Sequence, residues 1–403
     1  MRDGIARTEG PSARSVSRPT SPAQIADLLQ TASDLGHGVV PYGGGLNLAT
    51  GNVTEPVDIG LDLTGLSGVH SYHPADLTLS VGAGTTFAEI DETLQRHGQE
   101  LPIDVPFPER ATIGGLIATG FAGPRRLSSG SLKDLLIGCE FVRGDGLLAK
   151  AGGMVVKNVS GFEIPRLLHG SWGSLAVLTS VNLKVVPAPR SEATLVLVVD
   201  TLASGLEWAS VMLAKQPAMS ACTVSRTSDG TTVAVRCMGR EGAVGAMIAE
   251  LKITAARSMK NADALDMAES RSFWRSQVEA WARASSEVVV TIGTRPRNLS
   301  MVATMVENHF ETSDRSLDLI ASPGTGSIRF RFGPTATTAD ELRAWWRGAD
   351  LPGPTVGYIE FAPPDWKGGA NVWGLGAEPD PLMRAIKTQF DPRGILNPGR
   401  LFI

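Results

Sequence analysis

Cysteine is scarce in this 403-residue chain: Cys139, Cys222 and Cys237 are the only three, and no two share a C-x-x-C spacing. That excludes a disulfide framework, a structural zinc site of clustered cysteines and an iron–sulfur cluster held by this chain alone. Each cysteine is expected as a small buried residue, and no metal site is expected. An excess of basic residues is also missing. The net charge is −4, so nucleic-acid binding is not expected. No apolar run approaches the ~18 residues of a membrane helix, and Met1 to Arg18 lacks the apolar stretch of a secretory leader. The expectation is a cytoplasmic protein with no membrane span, peripheral at the inner face of the cell membrane only through partners. The G-x-G-x-x-G fingerprint of nicotinamide dinucleotides is absent, as is a P-loop ending in Gly-Lys-Ser/Thr.

What is present reads as an α+β protein. Ser21-Pro22 opens a helix over Ala23 to Leu35, with Ser21 at the N-cap and Pro22 in the first turn. Its apolar residues Ile25, Leu28, Leu29 and Ala32 recur at helical spacing. Val39–Pro41, Val57–Leu63, Leu77–Val81, Leu136–Arg143 and Leu175–Val186 read as strands, and Phe87–His97 as a helix. Pro187-Ala-Pro189 marks a boundary. Beyond it two β-α-β-β-α units follow one another. One runs from Ala193 to Ala256 and the other from Glu287 to Phe361, which suggests a ferredoxin-like domain with an antiparallel sheet. An ordinary α+β domain without repetition is the alternative. The expected division is a flexible N-terminus over 1–20, a first domain over 21–189, a second over 190–380 and a C-terminal segment over 381–403. Its Asp-Pro and Asn-Pro turns make that tail compact.

Three glycine loops carry the chemistry. The first, Tyr42-Gly43-Gly44-Gly45-Leu46-Asn47, follows a strand directly. Consecutive N–H groups in such a turn form a concavity that suits a pyrophosphate, and Asn47 can add a side-chain donor. The second runs from Ala111 to Gly123. There Thr112 caps a short helix, Gly114 and Gly115 permit close approach, and Thr119 can donate to a ring carbonyl or phosphate. The third, Gly170-Ser-Trp-Gly173, precedes a strand whose backbone near Val177 can meet an adenine edge. Lys157 and Asn158 are the polar residues expected beside a reacting ring, where a cation stabilises developing negative charge. Together the loops point to FAD. Taken singly, each loop also reads as a tight turn or close-packed helix, and Lys157 as a solvated surface residue.

These loops, with the tail Asp391–Arg400, resemble the FAD-binding domain of the vanillyl-alcohol oxidase/UDP-N-acetylmuramate dehydrogenase (PCMH-type) superfamily. Within it, Gly120-Phe-Ala-Gly-Pro-Arg-Arg126, Ser129-Gly-Ser131, Val155-Val-Lys-Asn-Val-Ser-Gly161 and Val372-Trp-Gly374 are similar to the FAD-binding accessory subunits of glycolate oxidase. The resemblance implies a two-lobed FAD domain followed by a cap. It implies oxidation of a small 2-hydroxy acid within a complex holding a catalytic flavoprotein subunit and an iron–sulfur subunit. It adds Pro106, Ala118, Gly120, Phe121, Ala122 and Asn397 to the cofactor-binding candidates. Leu46 stands where some family members have the histidine that links covalently to flavin, and no cysteine lies in these loops, so non-covalent FAD is implied.

Catalytic members of the superfamily carry a His/Glu/His set in cap and tail. The six histidines here form no such motif, and a hydroxy-acid dehydrogenation needs a base. His309 reads as a packed or surface residue. Arg329 and Arg331 alternate with Phe330 and Phe332, share one strand face, and suit either a substrate carboxylate or the solvated side of a sheet. Three readings remain: an FAD-binding subunit of a glycolate oxidase-like complex, a stand-alone FAD-dependent 2-hydroxy-acid or alcohol dehydrogenase, and a flavin-free scaffold. Trp345, Trp346, Trp366 and Trp373 offer either core packing or a partner surface.

Overall fold

The structure is a computed structural model that describes residues 12–54, 56–154, 162–216, 218–256, 261–282, 286–311, 317–375 and 381–401. The chain divides into two compact units. The first comprises Met1–Ala122, Gly130–Ala188 and Glu378–Ile403, and the second Gly123–Ser129 and Pro189–Ala377.

The first unit has two lobes. In one, the helix Pro22–Leu35 forms as its caps dictate. Ser21 accepts from the Gln24 N–H, and Gly36 closes the helix at φ +69°. Its buried stripe of Ile25, Leu29 and Ala32 packs with Val39, Leu61 and Leu63. The parallel sheet beneath places Val57–Asp62 between Ala13–Ser17 and Val39–Tyr42. The strand Ala13–Ser17 lies in the stretch expected to be a flexible N-terminus. It is held by main-chain pairing to the Val57 strand and by an Arg14–Asp58 ion pair of 2.9 Å, which its polar sequence does not advertise. The tail returns to this lobe. Val39 donates to Ile395 O at 2.8 Å, Asn397 donates to Val39 O at 2.9 Å, and Leu396 bridges Val39 in parallel.

The other lobe is an antiparallel sheet in the order Val69–His73, Thr78–Gly82, Ala176–Lys184, Leu136–Arg143, Leu148–Gly152. The helices Phe87–Gln95 and Ile113–Thr119 supply buried Phe87, Ile90, Leu94, Ile113 and Ile117 to a core shared with Leu79, Val81 and Val181. Thr86 and Glu89 make a reciprocal capping box at the first of these helices.

The second unit contains the repetition read from the sequence. Its first copy is strand Ser191–Val199, helix Leu202–Lys215, strands Ala221–Thr227 and Gly230–Gly239, helix Glu241–Ala255 and strand Asn261–Leu265. The second copy is strand Val288–Thr294, helix Leu299–Phe310, strands Asp318–Ser322 and Ser327–Phe332, helix Ala339–Gly348 and strand Thr355–Phe361. Within each copy the strands lie in the ferredoxin-like order 4-1-3-2. The two copies join through their second strands, Val224 opposite Ala321 and Arg226 opposite Leu319, into one eight-stranded antiparallel sheet. Two elements go beyond the sequence reading. The strand Asn261–Leu265 is short and half polar. The helix Met267–Ala282, which follows it, buries only Ser270, Trp274 and Trp281.

The aromatic cluster of this unit is internal packing. His309 stacks on Trp345 at 5.3 Å, Phe310 stacks on Phe332 at 5.4 Å, and Trp373 stacks on Tyr358 at 5.5 Å. The Trp366 indole donates to Thr337 O at 2.7 Å.

Candidate functional site

The first unit carries an open cleft lined by residues of all three glycine loops. Its walls are largely backbone and apolar side chains.

The glycines serve the walls before they serve any ligand. A Cβ on Gly43 would overlap Thr112, and one on Gly44 would overlap the Arg110 carbonyl. The first loop thus lies directly against the second, and only glycine permits that approach. A Cβ on Gly114 would meet Ala83 O at 2.8 Å. In the third loop, Gly173 sits at φ +65°, and a Cβ there would lie 3.1 Å from both Asn397 Nδ2 and Pro41 Cγ. The sequence suggested that these glycines make room for a ligand. In the structure Gly43 and Gly44 make room for the second loop, Gly114 for Ala83, and Gly173 for Pro41 and the tail.

The helix Ile113–Thr119 does not offer its N-terminus to an anion. Ile113 N–H goes to Thr85 O, Gly114 N–H to Ala83 O and Gly115 N–H to the Thr112 cap. The Thr119 hydroxyl donates back to Gly115 O at 2.9 Å. Free donors lie instead in the first loop. Among the described residues, no protein acceptor takes the backbone N–H of Gly44, Gly45, Leu46, Asn47 or Leu48, and all five residues line the cleft. The Asn47 side-chain amide is likewise unengaged among them. With Gly45 at φ +72°, such a loop suits an anion.

The strand Ala176–Lys184 opens to the cleft at its start. Its pairing with Thr78–Gly82 ends at Gly82–Ser180, followed by an Ala83 N–H to Thr179 O bond. Ala176, Val177 and Leu178 therefore pair on one side only.

Three further lining residues escaped the sequence reading. Arg110 donates to Gly44 O at 3.1 Å. Arg400 is 6% exposed and donates to Thr50 O at 2.9 Å, to Asn47 O and to Asn397 Oδ1 at 3.5 Å. Burial lowers its pKa to about 10, so it stays charged at neutral pH. Its guanidinium lies 5.5 Å over the ring of Trp172, and Trp172 holds a left-handed backbone at φ +56°. Trp172 lies in the third glycine loop and Arg400 in the tail segment, but no local pattern gives any of the three a role, because their partners are remote in sequence. Burial, and then Asp62, raise the pKa of Tyr42, so its phenol is neutral.

Of the expected cofactor ligands, Tyr42 to Asn47, Thr112, Gly114, Gly115, Ala118, Thr119, Gly173 and Val177 line the cleft. Pro106, Gly120, Phe121, Ala122, Gly170 and Asn397 are not among the residues that line it. Gly120 and Gly170 pack on each other, and both donate to Ile117 O. Phe121 packs on the core of the antiparallel lobe. Asn397, at φ +47°, donates its side-chain amide to Trp172 O at 2.8 Å. Lys157 and Asn158 fall outside the described residues. Arg329 and Arg331 belong to the second unit and are engaged there. Arg329 pairs with Glu360 at 2.7 Å, Arg331 pairs with Asp318 at 2.6 Å, and both flank the ring of Trp281.

The cleft fits FAD: a row of free N–H groups suits the pyrophosphate, and an apolar slot suits the flat rings. Comparison with known proteins agrees. Residues 13–162 match the sequence model of the FAD binding domain family. The chain is 41% identical over 136 residues to glycolate oxidase subunit GlcE of Escherichia coli (strain K12), covering 34% of this chain and 39% of that protein. The match thus spans about two fifths of that relative's length. It is 27% identical to glycolate oxidase subunit GlcD of Bacillus subtilis (strain 168), over 95% of this chain and 88% of that one. In fold it resembles an alkyldihydroxyacetonephosphate synthase, with a TM-score of 0.66 at 16% identity, over 96% of this chain and 77% of that one. With the first two glycine loops and most of the cleft lining inside the matched stretch, residues 13–162 are an FAD binding domain, and the chain is an FAD flavoprotein related in sequence to glycolate oxidase subunits.

Proposed function

We propose that this protein is an FAD-dependent oxidoreductase acting as the FAD-binding subunit of a glycolate oxidase-like complex. Its partners would be a catalytic flavoprotein subunit and an iron–sulfur subunit, and the substrate of the complex a small 2-hydroxy acid such as glycolate. The observation that carries this reading is the row of free N–H groups in a chain similar to a glycolate oxidase subunit. When bound, FAD would supply a redox centre able to hold or pass electrons within the complex, while oxidation of the hydroxy acid itself would belong to the catalytic subunit. Gly44 to Leu48 would hold the pyrophosphate, the Ala176–Leu178 edge the adenine, and Thr112, Ala118 and Thr119 the wall beside them. Lys157 and Asn158 would stand near the flavin ring. FAD is non-covalent in this reading, since Leu46 supplies no nucleophile and the described residues lining the cleft include no histidine or cysteine. The ion pairs of Arg329 and Arg331 fit a structural role better than capture of a substrate carboxylate. Among the described residues no helix is long and apolar enough to cross a membrane, so membrane contact would come through partners.

A second reading, a stand-alone dehydrogenase, is favoured by the alignment with GlcD over nearly the whole chain. The two are separated by the visible spectrum of the purified chain under anaerobic conditions, before and after adding glycolate or D-lactate. A flavin spectrum that persists with substrate supports the accessory subunit. Bleaching makes this chain the dehydrogenase, and a colourless protein that takes up no FAD leaves the scaffold reading.

A further inference from the structure

Resting on the proposal that FAD occupies this cleft, we infer that Arg110 and Arg400 are positioning residues that aim the N–H groups of the first loop, and that Arg400 couples FAD binding to docking of the C-terminal tail.

The argument starts from the peptide plane. In a trans peptide the C=O of one residue and the N–H of the next point in opposite directions. Arg110 draws the Gly44 carbonyl toward itself, so the Gly45 N–H of the same peptide points away from Arg110. Arg400 draws the Asn47 carbonyl toward itself, so the Leu48 N–H points away from Arg400. Those N–H groups are two of the five without a protein acceptor among the described residues, and both residues line the cleft. The arginines therefore act on the pyrophosphate site through two peptide planes. Holding two peptides of a glycine-rich loop in one orientation removes conformational freedom that FAD would otherwise have to remove on binding.

The tail supplies the second half of the inference. Arg400 reaches the loop from the far end of the chain, 353 residues from Asn47. It is gripped in return, since Asn52 N–H goes to Arg400 O at 3.1 Å and the side chain donates to Thr50 O. Asn397 fixes Trp172 O, and Lys387 donates to Ser174 O at 2.7 Å. The first and third glycine loops are thus both tied to residues 387–400. An undocked tail leaves both loops unsupported, so FAD and the docked tail favour each other. Such coupling is reciprocal.

The test uses the full chain, freed of flavin and then titrated with FAD. Arg400→Met is expected to weaken FAD binding about 10- to 100-fold, the span of one to two lost charge-assisted hydrogen bonds. Arg400→Lys, which can reach one carbonyl only, is expected to recover part of that loss. In the wild type, FAD is expected to slow amide hydrogen exchange at residues 44–48 and 394–401 together. A merely structural arginine would lower the melting temperature yet leave the FAD-induced shift in that temperature unchanged; here that shift shrinks as well. Wild-type binding of FAD without added protection of the tail, or Arg400→Met binding FAD as tightly as the wild type, overturns the inference. A wild type that binds no FAD overturns the proposed function and this inference with it. Should Arg400→Met fail to fold, wild-type exchange with and without FAD decides alone.

Discussion

Single atoms decide much of this site. A methyl group on Gly44 would overlap the Arg110 carbonyl. Gly44→Ala is therefore expected to cost about 1–3 kcal/mol of stability and to weaken FAD binding, measured by urea unfolding and flavin titration. Gly245→Ala is the contrasting case. Gly245 lies inside the helix Glu241–Ala255, and its added Cβ would meet nothing within 4 Å. It is expected to stabilise the chain by about 0.5–1 kcal/mol. The three cysteines follow the same logic of local environment. Burial raises each thiol's pKa to about 12, so almost no thiolate exists at neutral pH. A thiol reagent at mildly alkaline pH is expected to label none of Cys139, Cys222 and Cys237 in the folded protein and all three after denaturation.

At the scale of elements, two attachments carry charges out of water. The helix Met267–Ala282 sits over a buried network. Glu192 and Arg236 pair at 2.8 Å with side chains 1% and 5% exposed, Ser270 donates to Glu192 at 2.6 Å, and the Trp274 indole donates to Thr194 at 2.8 Å. Removing one partner strands the other charge, so Glu192→Ala is expected to cost about 3–5 kcal/mol. Glu92→Ala breaks an exposed Arg96–Glu92 pair and is expected to change little, and urea unfolding compares the two. The helix Pro381–Phe390 anchors the tail. Lys387 donates to Asp391 at 2.6 Å, to Ser174 O and to Leu396 O, while Asp391 accepts from Ile395 and Leu396 N–H. Burial lowers the pKa of Lys387, with Asp391 partly offsetting it. The unfolded chain then binds that proton more tightly than the fold. Stability is expected to rise with pH from the folded value of Lys387 up to its ordinary 10.5. Lys387→Met should flatten that rise in unfolding midpoints measured from neutral to alkaline pH.

For the whole molecule, FAD acts as a ligand of the folded state. At a concentration 100 times its dissociation constant it is expected to add about 2.7 kcal/mol to the stability of the unit that holds it. Hydrogen exchange should place the largest protection in the first loop, the strand start Ala176–Leu178 and the tail. The division into units explains which parts of the fold were legible beforehand. The helix Pro22–Leu35 announced itself through Ser21, Pro22 and Gly36, and the repetition of the second unit through the order of its apolar runs. The strands Ala13–Ser17 and Asn261–Leu265 did not, because an edge strand is held by main-chain bonds that its side chains need not encode. The helix Met267–Ala282 escaped for a related reason. Its buried face includes a serine that matters only because Glu192 lies opposite.

The sequence by itself determined the α+β class and the three glycine loops, since turn chemistry, capping and hydrophobic spacing are local properties of the chain, and the resemblance of those loops to a known FAD-binding family pointed to the cofactor. Only the tertiary structure decided what each glycine approaches, which N–H groups stay free, and that Arg110, Trp172 and Arg400 belong to the cleft. It also paired Arg329 and Arg331 with acidic residues of their own unit. Those outcomes depend on which backbone oxygen or carboxylate arrives from elsewhere. Asn47 meets Arg400, and Gly44 meets Arg110, only after the chain has closed on itself.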